Sequence, residues 1–448
     1  MINILISEDD SLIQEVLKAL LAPNKITIFN NLSELLEKSG TASADLLLID
    51  LCHAADPKGT QSLASIPELK RKYPCAEIVV QSGVQDISIM RSCLEYGARK
   101  FILKDHLADE IPLLVERLKQ EKVWKEAIDK IMIGESQAMK DLKRDILLLK
   151  SRGTGFDVLV EGETGSGKEL CARALHQPTN SHFVEVNAGA IPEDLFEVSF
   201  FGADKGAYTG AQQIRDGYFA EANGGTLFID EIQNLSYSNQ AKLLRVLETR
   251  QFQRVGSAQN QKFTGRIIFA SNIHLRDKVA KNQFREDLYY RISQVRVYSP
   301  PLRLRRSDIP SIANSFLKNE AQSPMKFTEK ALDYLQQSYD WPGNVRELKG
   351  LVKQFALKHP LPLIDVLDIE KALHEQWSDW TKKAQSEVAP DQFQISWEQN
   401  FDENIKTLEK FLLKKSLEKW GSKDAREKLN VSRSRFYDKL KEYQLISD

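Results

Sequence analysis

Short apolar runs alternate with amphipathic segments over the first part of the chain. The runs are Ile2–Ile6, Ile26–Phe29, Leu46–Ile49, Ile78–Val80 and Phe101–Leu103. Five strands separated by helices at this interval predict a parallel, doubly wound sheet. An amphipathic segment from Leu107 to Ile131 follows. We expect it to lead as a helix into the next domain and to offer a face on which subunits pair.

A second alternation of strands and helices begins near Gly134. Its apolar strands are Val158–Val160, Phe183–Val186, Thr226–Ile229 and Arg266–Ala270. After Pro300 the pattern is wholly helical as far as Leu373. Polar residues then dominate from position 375 to 399 and predict a linker, before a short helical unit over 402–448. The pattern therefore predicts an α/β multidomain protein that ends in an all-α domain.

Composition narrows the class of protein. A chain of 448 residues has room for about two to four domains. Apolar residues at 42% and charged residues at 28% are typical of globular protein. The net charge of −1 argues against attraction of nucleic acid over the whole surface, but it is compatible with a local basic face. The chain has no apolar run near the ~18 residues that a membrane span needs and no signal peptide, so we expect a cytoplasmic protein.

Acidic and basic side chains stand at the carboxyl ends of the predicted strands of the first domain. Glu8 and Asp9 follow the first strand, Asp50 ends the third, Ser82 the fourth and Lys104 the fifth. Since ligands bind at this edge of an open parallel sheet, the carboxylates predict a Mg²⁺ site. Asp50 would be a nucleophile for a phosphoryl group, stabilised by Ser82 and Lys104. The alternative is a set of solvated polar groups at strand ends.

A glycine-rich loop follows the first strand of the second domain and opens a helix. It consists of Gly162, Glu163, Thr164, Gly165, Ser166, Gly167, Lys168 and Glu169. Its backbone N–H groups and Lys168 predict a phosphate loop, in which Glu169 replaces the usual hydroxyl residue. A later strand ends in Asp230, which can hold Mg²⁺, and Glu231, which can polarise water. The alternative is a glycine-rich turn beside an unrelated strand.

The last helical unit carries a basic face. Gly421 allows a break, and Ser432 is placed to cap a helix in which Phe436, Leu440 and Tyr443 share one side. Helical geometry turns four side chains outward, those of Ser434, Arg435, Asp438 and Lys441. Four basic residues and one acidic residue between Arg433 and Lys441 predict the major-groove helix of a helix-turn-helix. A helical oligomerisation unit with a solvated charged face is the alternative.

These motifs resemble those of sigma-54-dependent response regulators of the NtrC type. The first domain resembles a flavodoxin-like receiver, which implies that Asp50 is the phosphoacceptor and that Glu8, Asp9 and the Cys52 carbonyl bind metal. Receivers have a proline and a glycine soon after the acceptor, whereas Pro57 and Gly59 come a few residues late here. We therefore expect a remodelled loop at this point.

The second domain resembles the AAA+ P-loop α/β core of this family with its helical lid, and Glu169 is the residue that the family uses. The resemblance implies that Asn187 restrains Glu231, that Asn272 is sensor I and that Arg346 is sensor II. Arg285 and Arg291 would reach the nucleotide of a neighbouring protomer, although a surface salt bridge is the commoner role of an arginine. The family's sigma-54-contacting loop matches Gly206, Ala207, Tyr208, Thr209, Gly210 and Ala211. Tyr208 stands where phenylalanine is usual.

The resemblance also implies an organisation and a set of partners. The expected parts are a receiver (1–122), a linker helix (123–133), an ATPase core (134–299), a lid (300–374), a linker (375–401) and a Fis-type helix-turn-helix (402–448). The expected cofactors are ATP and Mg²⁺. The expected partners are sigma-54 RNA polymerase, upstream enhancer DNA, a sensor histidine kinase and further copies of the chain, as a dimer at rest and a hexameric ring when active.

Two other classes of protein compete with this interpretation. An AAA+ unfoldase would share the phosphate loop but would need neither the Tyr208 loop nor the basic terminal helix. A DNA-binding regulator without a motor would not need Lys168, Asp230 and Glu231. The sequence does not reveal the signal, the promoters, or whether the receiver represses or stimulates assembly of the ring.

Overall fold

The computed structural model describes most of the chain as two compact units. The described residues are 1–38, 44–52, 56, 59–83, 85–153, 155–176, 182–207, 213–321, 324–358, 362–375, 400–443 and 445. The first unit covers Met1–Leu363 and the second Ile364–Asp448. Among the described residues, no helix has both the length and the apolar character that a membrane span requires.

The first domain is a five-stranded parallel sheet between helices in the part of the chain described. Its strands are β1 (Asn3–Ser7), β2 (Lys25–Phe29), β3 (Leu46–Asp50), β4 (Glu77–Ser82) and β5 (Lys100–Leu103). Its helices are α1 (Ser11–Leu21), α2 (Leu32–Lys38), α3 (Thr60–Lys72), α4 (Ile87–Glu95) and α5 (Leu107–Ile131). The strand order β2-β1-β3-β4-β5 is flavodoxin-like and brings the ends of β1, β3 and β4 side by side. The predicted doubly wound sheet is confirmed.

Apolar residues fill both faces of this sheet because parallel strands are covered by helices on each side. Every residue of β3 is buried, and its side chains alternate between the two core clusters. Helix α5 contributes Leu107, Ile111 and Leu114 to one cluster, while Ile128 near its end is buried in the core of the next domain. The predicted connecting helix is thus continuous from one domain to the next.

The second domain contains another parallel sheet, of order β12-β6-β11-β8-β7 among the described residues. Its strands are β6 (Val158–Glu161), β7 (Phe183–Asn187), β8 (Thr226–Asp230), β11 (Arg266–Ser271) and β12 (Arg296–Tyr298), and β9 (Gln251–Gln253) pairs with β10 (Asn260–Lys262) in a separate hairpin. Its helices are α6 (Gln137–Ser151), α7 (Lys168–Leu175), α8 (Phe196–Phe201), α9 (Tyr218–Glu221), α10 (Tyr237–Thr249), α11 (Leu275–Ala280) and α12 (Glu286–Ile292). The four predicted strands are confirmed, and β9, β10 and β12 were not predicted.

The lid is mainly helical. Its helices are α13 (Ile309–Glu320), α14 (Glu329–Gln337) and α15 (Asn344–Lys358), and two-residue strands β13 (Lys326–Phe327) and β14 (Leu363–Ile364) also occur. The prediction of a wholly helical segment after Pro300 is therefore wrong in this detail. Strands of two residues carry too little periodicity to be recognised in a sequence.

The second unit contains a helical segment over 366–375 and then, beyond residues outside the described part, helices α16 (Phe401–Lys428) and α17 (Arg433–Glu442). Gly421 has φ 70° and ψ 171°, so α16 is two helices joined at a kink. This confirms the predicted break at Gly421, whereas the helix-turn-helix stays a prediction. The core of these helices consists of Leu413, Ala425, Phe436 and Leu440.

Candidate functional site

Carboxylates and a lysine converge at the carboxyl edge of the first sheet. Lys104 Nζ lies 2.9 Å from an oxygen of Glu8 and 2.9 Å from an oxygen of Asp50. Glu8, Asp9 and Asp50 each offer an oxygen atom within 4.8 Å of the others. Glu8 and Asp50 are buried, whereas Asp9 is exposed. The edge therefore brings four of the five predicted residues, Glu8, Asp9, Asp50 and Lys104, into one cluster.

The electrostatics of this cluster suit a cation. Burial, with the nearby Glu8 charge, raises the pKa of Asp50 to about 7, although Lys104 opposes the shift. Burial disfavours the Lys104 ammonium, but hydrogen bonds to Glu8 and Asp50 outweigh it and raise the pKa of this lysine. A set of hard oxygen donors with unfavourable mutual repulsion fits Mg²⁺.

One backbone group contacts the Asp50 carboxylate. The Cys52 N–H donates to Asp50 Oδ1 at 3.3 Å, and buried Ser82 has its Oγ 4.0 Å from Cys52 Sγ. Gly59 has φ +67° and packs against Leu51, where a Cβ would lie 2.6 Å from Leu51 Cγ. This close approach explains a glycine at that position. Pro57 lies outside the described residues.

The glycine-rich loop has a well-defined backbone and holds its lysine. Gly165 and Gly167 have φ +74° and +109°, in the left-handed region that favours glycine. Lys168 Nζ donates to the carbonyls of Gly162 at 2.8 Å and Glu163 at 3.0 Å. Burial lowers the pKa of Lys168. The loop thus holds its lysine at the start of α7, beside the N–H groups that bind phosphate.

Strand β8 delivers two acids next to this loop. The Glu231 N–H donates to Asp230 Oδ1 at 2.8 Å, and burial, with the Glu231 charge, raises the pKa of Asp230. Lys168 and Arg346 oppose that shift, so both cations lie close enough to act on the carboxylate. Glu231 has φ +55°, an unusual backbone for glutamate. Strain of this kind is typical of functional sites.

Amides next to Glu231 were only partly predicted. Asn234 Nδ2 donates to Glu231 Oε2 at 3.1 Å, while Asn187 Oδ1 accepts from the Gly189 N–H at 2.8 Å. A Cβ on Gly189 would lie within 3.2 Å of Asn187, Glu231 and Asn234, so the three side chains border the same small space. Asn272 accepts from Gln233 Nε2 at 2.9 Å. Gln233 and Asn234 were missed, and their position two and three residues after Glu231 was the only signal.

An apolar cavity of ≈ 210 Å³ lies beside the phosphate loop. The segment Ile131–Ile133 at the end of α5 forms one wall, Leu170 of α7 another, and Phe316 and Val345 of the lid a third. Such a lining suits the flat apolar face of a nucleotide base. The sequence prediction missed this cavity because its walls come from three distant segments.

The three arginines differ in their surroundings. Arg285 pairs with Asp287 at 2.7 Å and lies 5.2 Å from the centre of the Tyr237 ring. Arg291 donates to the Leu247 carbonyl at 2.9 Å. Both side chains are partly exposed, at 30% and 26%. Arg346 lies on α15, next to the phosphate loop.

The predicted partner loop is anchored at its base. Gly206 and Ala207 are described, whereas Tyr208, Thr209, Gly210 and Ala211 lie outside the described residues. Arg254 pairs with Asp216 at 2.5 Å and with Asp204 at 3.8 Å. One arginine therefore links the two stems of the loop.

All four side chains predicted to point outward from the terminal helix are exposed. Phe436 and Leu440 are buried and Tyr443 is half-buried, whereas Arg433, Ser434, Arg435, Asp438 and Lys441 are exposed. Ser432 stands at the N-cap of α17, but its side chain makes no capping hydrogen bond, which corrects the predicted cap. Lys439 pairs with Glu409 of α16 at 3.0 Å and with Glu442 of its own helix. Its positive charge is therefore partly neutralised within the unit. The outer face is accordingly less basic than the sequence count suggested.

The fold and these sites define a receiver-like sheet joined to a P-loop α/β core with a lid, and the described part of the second unit is mainly helical. Residues 4–116 match the family model of the response regulator receiver domain, residues 132–298 that of the Sigma-54 interaction domain, and residues 303–386 that of the AAA+ ATPase lid domain.

Individual relatives cover most of the chain. It is 38% identical over 363 residues to the DNA-binding transcriptional regulator NtrC of Escherichia coli K12, covering 77% of this chain and 75% of that protein. It is 32% identical over 419 residues to the regulatory protein AtoC of the same strain, covering 89% and 88%. The crystal structure of NtrX from Brucella abortus in complex with ADP matches at 29% identity and a TM-score of 0.50 over 99% of both chains.

The chain belongs to the family of NtrC-type sigma-54-dependent response regulators. It is a two-component response regulator, a sigma-54-dependent transcriptional activator and an AAA+ ATPase. This family assignment excludes an unfoldase unconnected with transcription. It also excludes a DNA-binding regulator without a motor.

Proposed function

We propose that phosphorylation of Asp50 by a sensor histidine kinase controls an ATP-driven ring that opens sigma-54 promoters from upstream DNA. The observation that carries this proposal is the position of Lys104 between Glu8 and Asp50, in the same chain as the phosphate loop and Asp230. A buried carboxylate with a lysine and two further acids beside it is suited to receive a phosphoryl group. The transfer would break the bond to the kinase residue and form one to an Asp50 oxygen.

Glu8, Asp9, Asp50 and the Cys52 carbonyl would hold Mg²⁺ in the receiver. The ion would neutralise the charge of the phosphoryl group. Lys104 would supply further positive charge, and Ser82 a hydroxyl donor. These residues fit the ion because every metal donor among them is an oxygen.

ATP would lie across the phosphate loop of residues 162–169, with its base in the cavity walled by Ile131, Ile133 and Leu170. Asp230 would hold the second Mg²⁺, and Lys168 would contact the terminal phosphates. Glu231 would accept a proton from the attacking water, with its carboxylate oriented by Asn234. Asn187 would restrain Glu231, and Asn272 and Arg346 would report the state of the nucleotide.

Arg285 and Arg291 would complete the site of an adjoining protomer. Both are exposed in part, and both have local acceptors that hold them in place before a neighbour arrives. Hydrolysis would then depend on assembly, from a dimer at rest to a hexameric ring. The loop of residues 206–211 would contact sigma-54, and Ser432, Arg433, Ser434, Arg435, Asp438 and Lys441 would contact enhancer DNA. The cytoplasm would be the place of action.

Promoter opening in a purified system tests this function. The full chain, treated with a small phosphodonor, should open a sigma-54 promoter when ATP is present and should fail with a non-hydrolysable analogue. Lys168→Ala should abolish both ATP turnover and opening, because it removes the cation at the phosphates. Opening that proceeds without hydrolysis, or undiminished turnover by Lys168→Ala, would overturn the proposal.

A further inference from the structure

One lid residue is bonded directly to the phosphate loop. Asn344 is fully buried, and its Nδ2 donates to the Thr164 carbonyl at 3.0 Å and to Glu163 Oε2 at 3.2 Å. Its Oδ1 accepts from the Leu302 N–H at 2.7 Å. A single amide therefore ties together the phosphate loop, the segment that enters the lid and the start of α15.

Neighbouring lid residues hold the next carbonyls of the loop. The Val345 N–H donates to the Gly165 carbonyl at 3.0 Å, and Arg305 donates to the Ser166 carbonyl at 2.5 Å. Three consecutive carbonyls, of residues 164, 165 and 166, are thus bound from the lid side. Arg303 completes the contact with two hydrogen bonds to the Glu163 carboxylate.

These contacts orient the groups that phosphate requires. In a trans peptide the C=O of one residue points opposite to the N–H of the next. Holding the carbonyls of Thr164 and Ser166 toward the lid therefore turns the N–H groups of Gly165 and Gly167 away from it. Backbone N–H groups of this loop are the donors to a bound phosphate.

The backbone at Asn344 suits this corner position. Asn344 has φ +54°, a conformation that asparagine tolerates better than most residues. Helix α15 begins there and carries Arg346 two residues later. Asn344 therefore joins the Thr164 carbonyl to the helix that carries Arg346.

We propose that Asn344 is a positioning residue for ATP hydrolysis, which fixes the phosphate loop and passes the orientation of the lid to it. Asn344 acts through the carbonyls of the loop and does not touch the nucleotide. The inference rests on the proposed placement of ATP at the phosphate loop. It assigns to the lid a direct effect on phosphate binding, in addition to that of Arg346.

Asn344→Asp tests the role with little change in shape. The variant keeps the acceptor for Leu302 but replaces the donor with an oxygen that faces the Thr164 carbonyl and the Glu163 carboxylate. We expect kcat/KM for ATP to fall at least tenfold, with KM raised. Asn344→Gly, which tolerates the same backbone, should give the same direction of change if the aspartate variant folds poorly.

Removal of the opposing charge distinguishes positioning from general damage. Adding Glu163→Gln to Asn344→Asp supplies an amide donor that can face the new carboxylate. We expect kcat/KM of the double variant to be at least threefold higher than the value predicted if the effects of the two single variants were independent. Asn430→Asp is the matched control, since Asn430 has the same φ of 54° but lies in the terminal unit. We expect its ATP turnover to equal that of the unchanged chain.

The outcomes separate this inference from the proposed ATP site. Turnover by Asn344→Asp within twofold of the unchanged chain, or a loss that Glu163→Gln does not relieve, would overturn the positioning role. Lys168→Ala is measured alongside. If Lys168→Ala is inactive while Asn344→Asp is normal, only the positioning role fails, whereas an active Lys168→Ala removes the ATP placement itself.

Discussion

Asp50 illustrates how burial and charge prepare a single residue for chemistry. Its side chain is almost fully buried at the end of β3, with Glu8 close by and Lys104 at 2.9 Å. Burial and the Glu8 charge raise its pKa to about 7, so the free carboxylate is costly at neutral pH. A cation or a covalent modification that reduces this cost is therefore favoured at the site.

Asp50→Asn should abolish phosphorylation by a small phosphodonor such as acetyl phosphate. The amide lacks the nucleophilic oxygen that forms the acyl phosphate. Asp45→Asn is the control, because Asp45 precedes the same strand at its opposite end and pairs with Lys122. Asp45→Asn should acquire radiolabel that hydroxylamine releases, as the unchanged chain does, whereas Asp50→Asn should acquire none. Undiminished label in Asp50→Asn would place the acceptor elsewhere.

Asp50→Asn should also stabilise the receiver at alkaline pH in the presence of a chelator. Because the folded-state pKa lies above the unfolded value, ionised Asp50 destabilises the fold increasingly as pH rises from about 4 to 7. We expect a gain on the order of 1–3 kcal/mol in the free energy of unfolding at pH 8, and a smaller gain at pH 5. Urea denaturation followed by circular dichroism measures it. A gain that grew at lower pH would contradict the raised pKa.

The residues that we propose for the chemistry were predictable from sequence, whereas the residues that support them were not. Asp50, Lys104, Lys168, Asp230 and Glu231 all follow strands in recognisable motifs, and the structure brings each group together. Asn344 and Asn234 act through hydrogen bonds to the backbone or to a neighbouring carboxylate. Asparagines in such roles have no spacing rule that a single sequence could reveal.

At the scale of elements, a helix with strong periodicity was predicted correctly, whereas short strands with few buried residues were missed. Helix α5 was predicted at its observed bounds, because apolar residues repeat along one side of the receiver half. Strand β12 has only one buried residue, Val297, between two exposed ones. It joins the sheet by pairing with β6, a tertiary contact that local pattern does not encode.

The terminal helix gives a prediction at this scale. Arg435→Ala should weaken specific DNA binding by ~1–3 kcal/mol if the side chain reads a base, because it is exposed on the outer side of α17. Lys406→Ala, which removes one exposed positive charge from α16, should have a smaller effect. Titration with operator and with unrelated DNA at fixed salt measures both. Equal affinity of Arg435→Ala and the unchanged chain would exclude Arg435 from the groove.

At the scale of the whole molecule, helix α5 and the lid both reach the phosphate loop. The receiver core and the ATPase core share the continuous helix α5, whose end forms a wall of the cavity beside the phosphate loop. The lid contacts the same loop through Asn344. The family and its activity followed from motifs in the sequence. The approach of the end of α5 and of the lid to the phosphate loop could be found only in the structure.

Promoter opening by Tyr208→Ala tests most directly whether ATP hydrolysis is coupled to sigma-54 through the loop of residues 206–211. Tyr208→Phe is the matched control, since it keeps the ring and removes only the hydroxyl. We expect Tyr208→Ala to retain most of its ATP turnover and to lose promoter opening by sigma-54 polymerase, while Tyr208→Phe keeps both. Promoter opening by Tyr208→Ala at the rate of the unchanged chain would contradict the account.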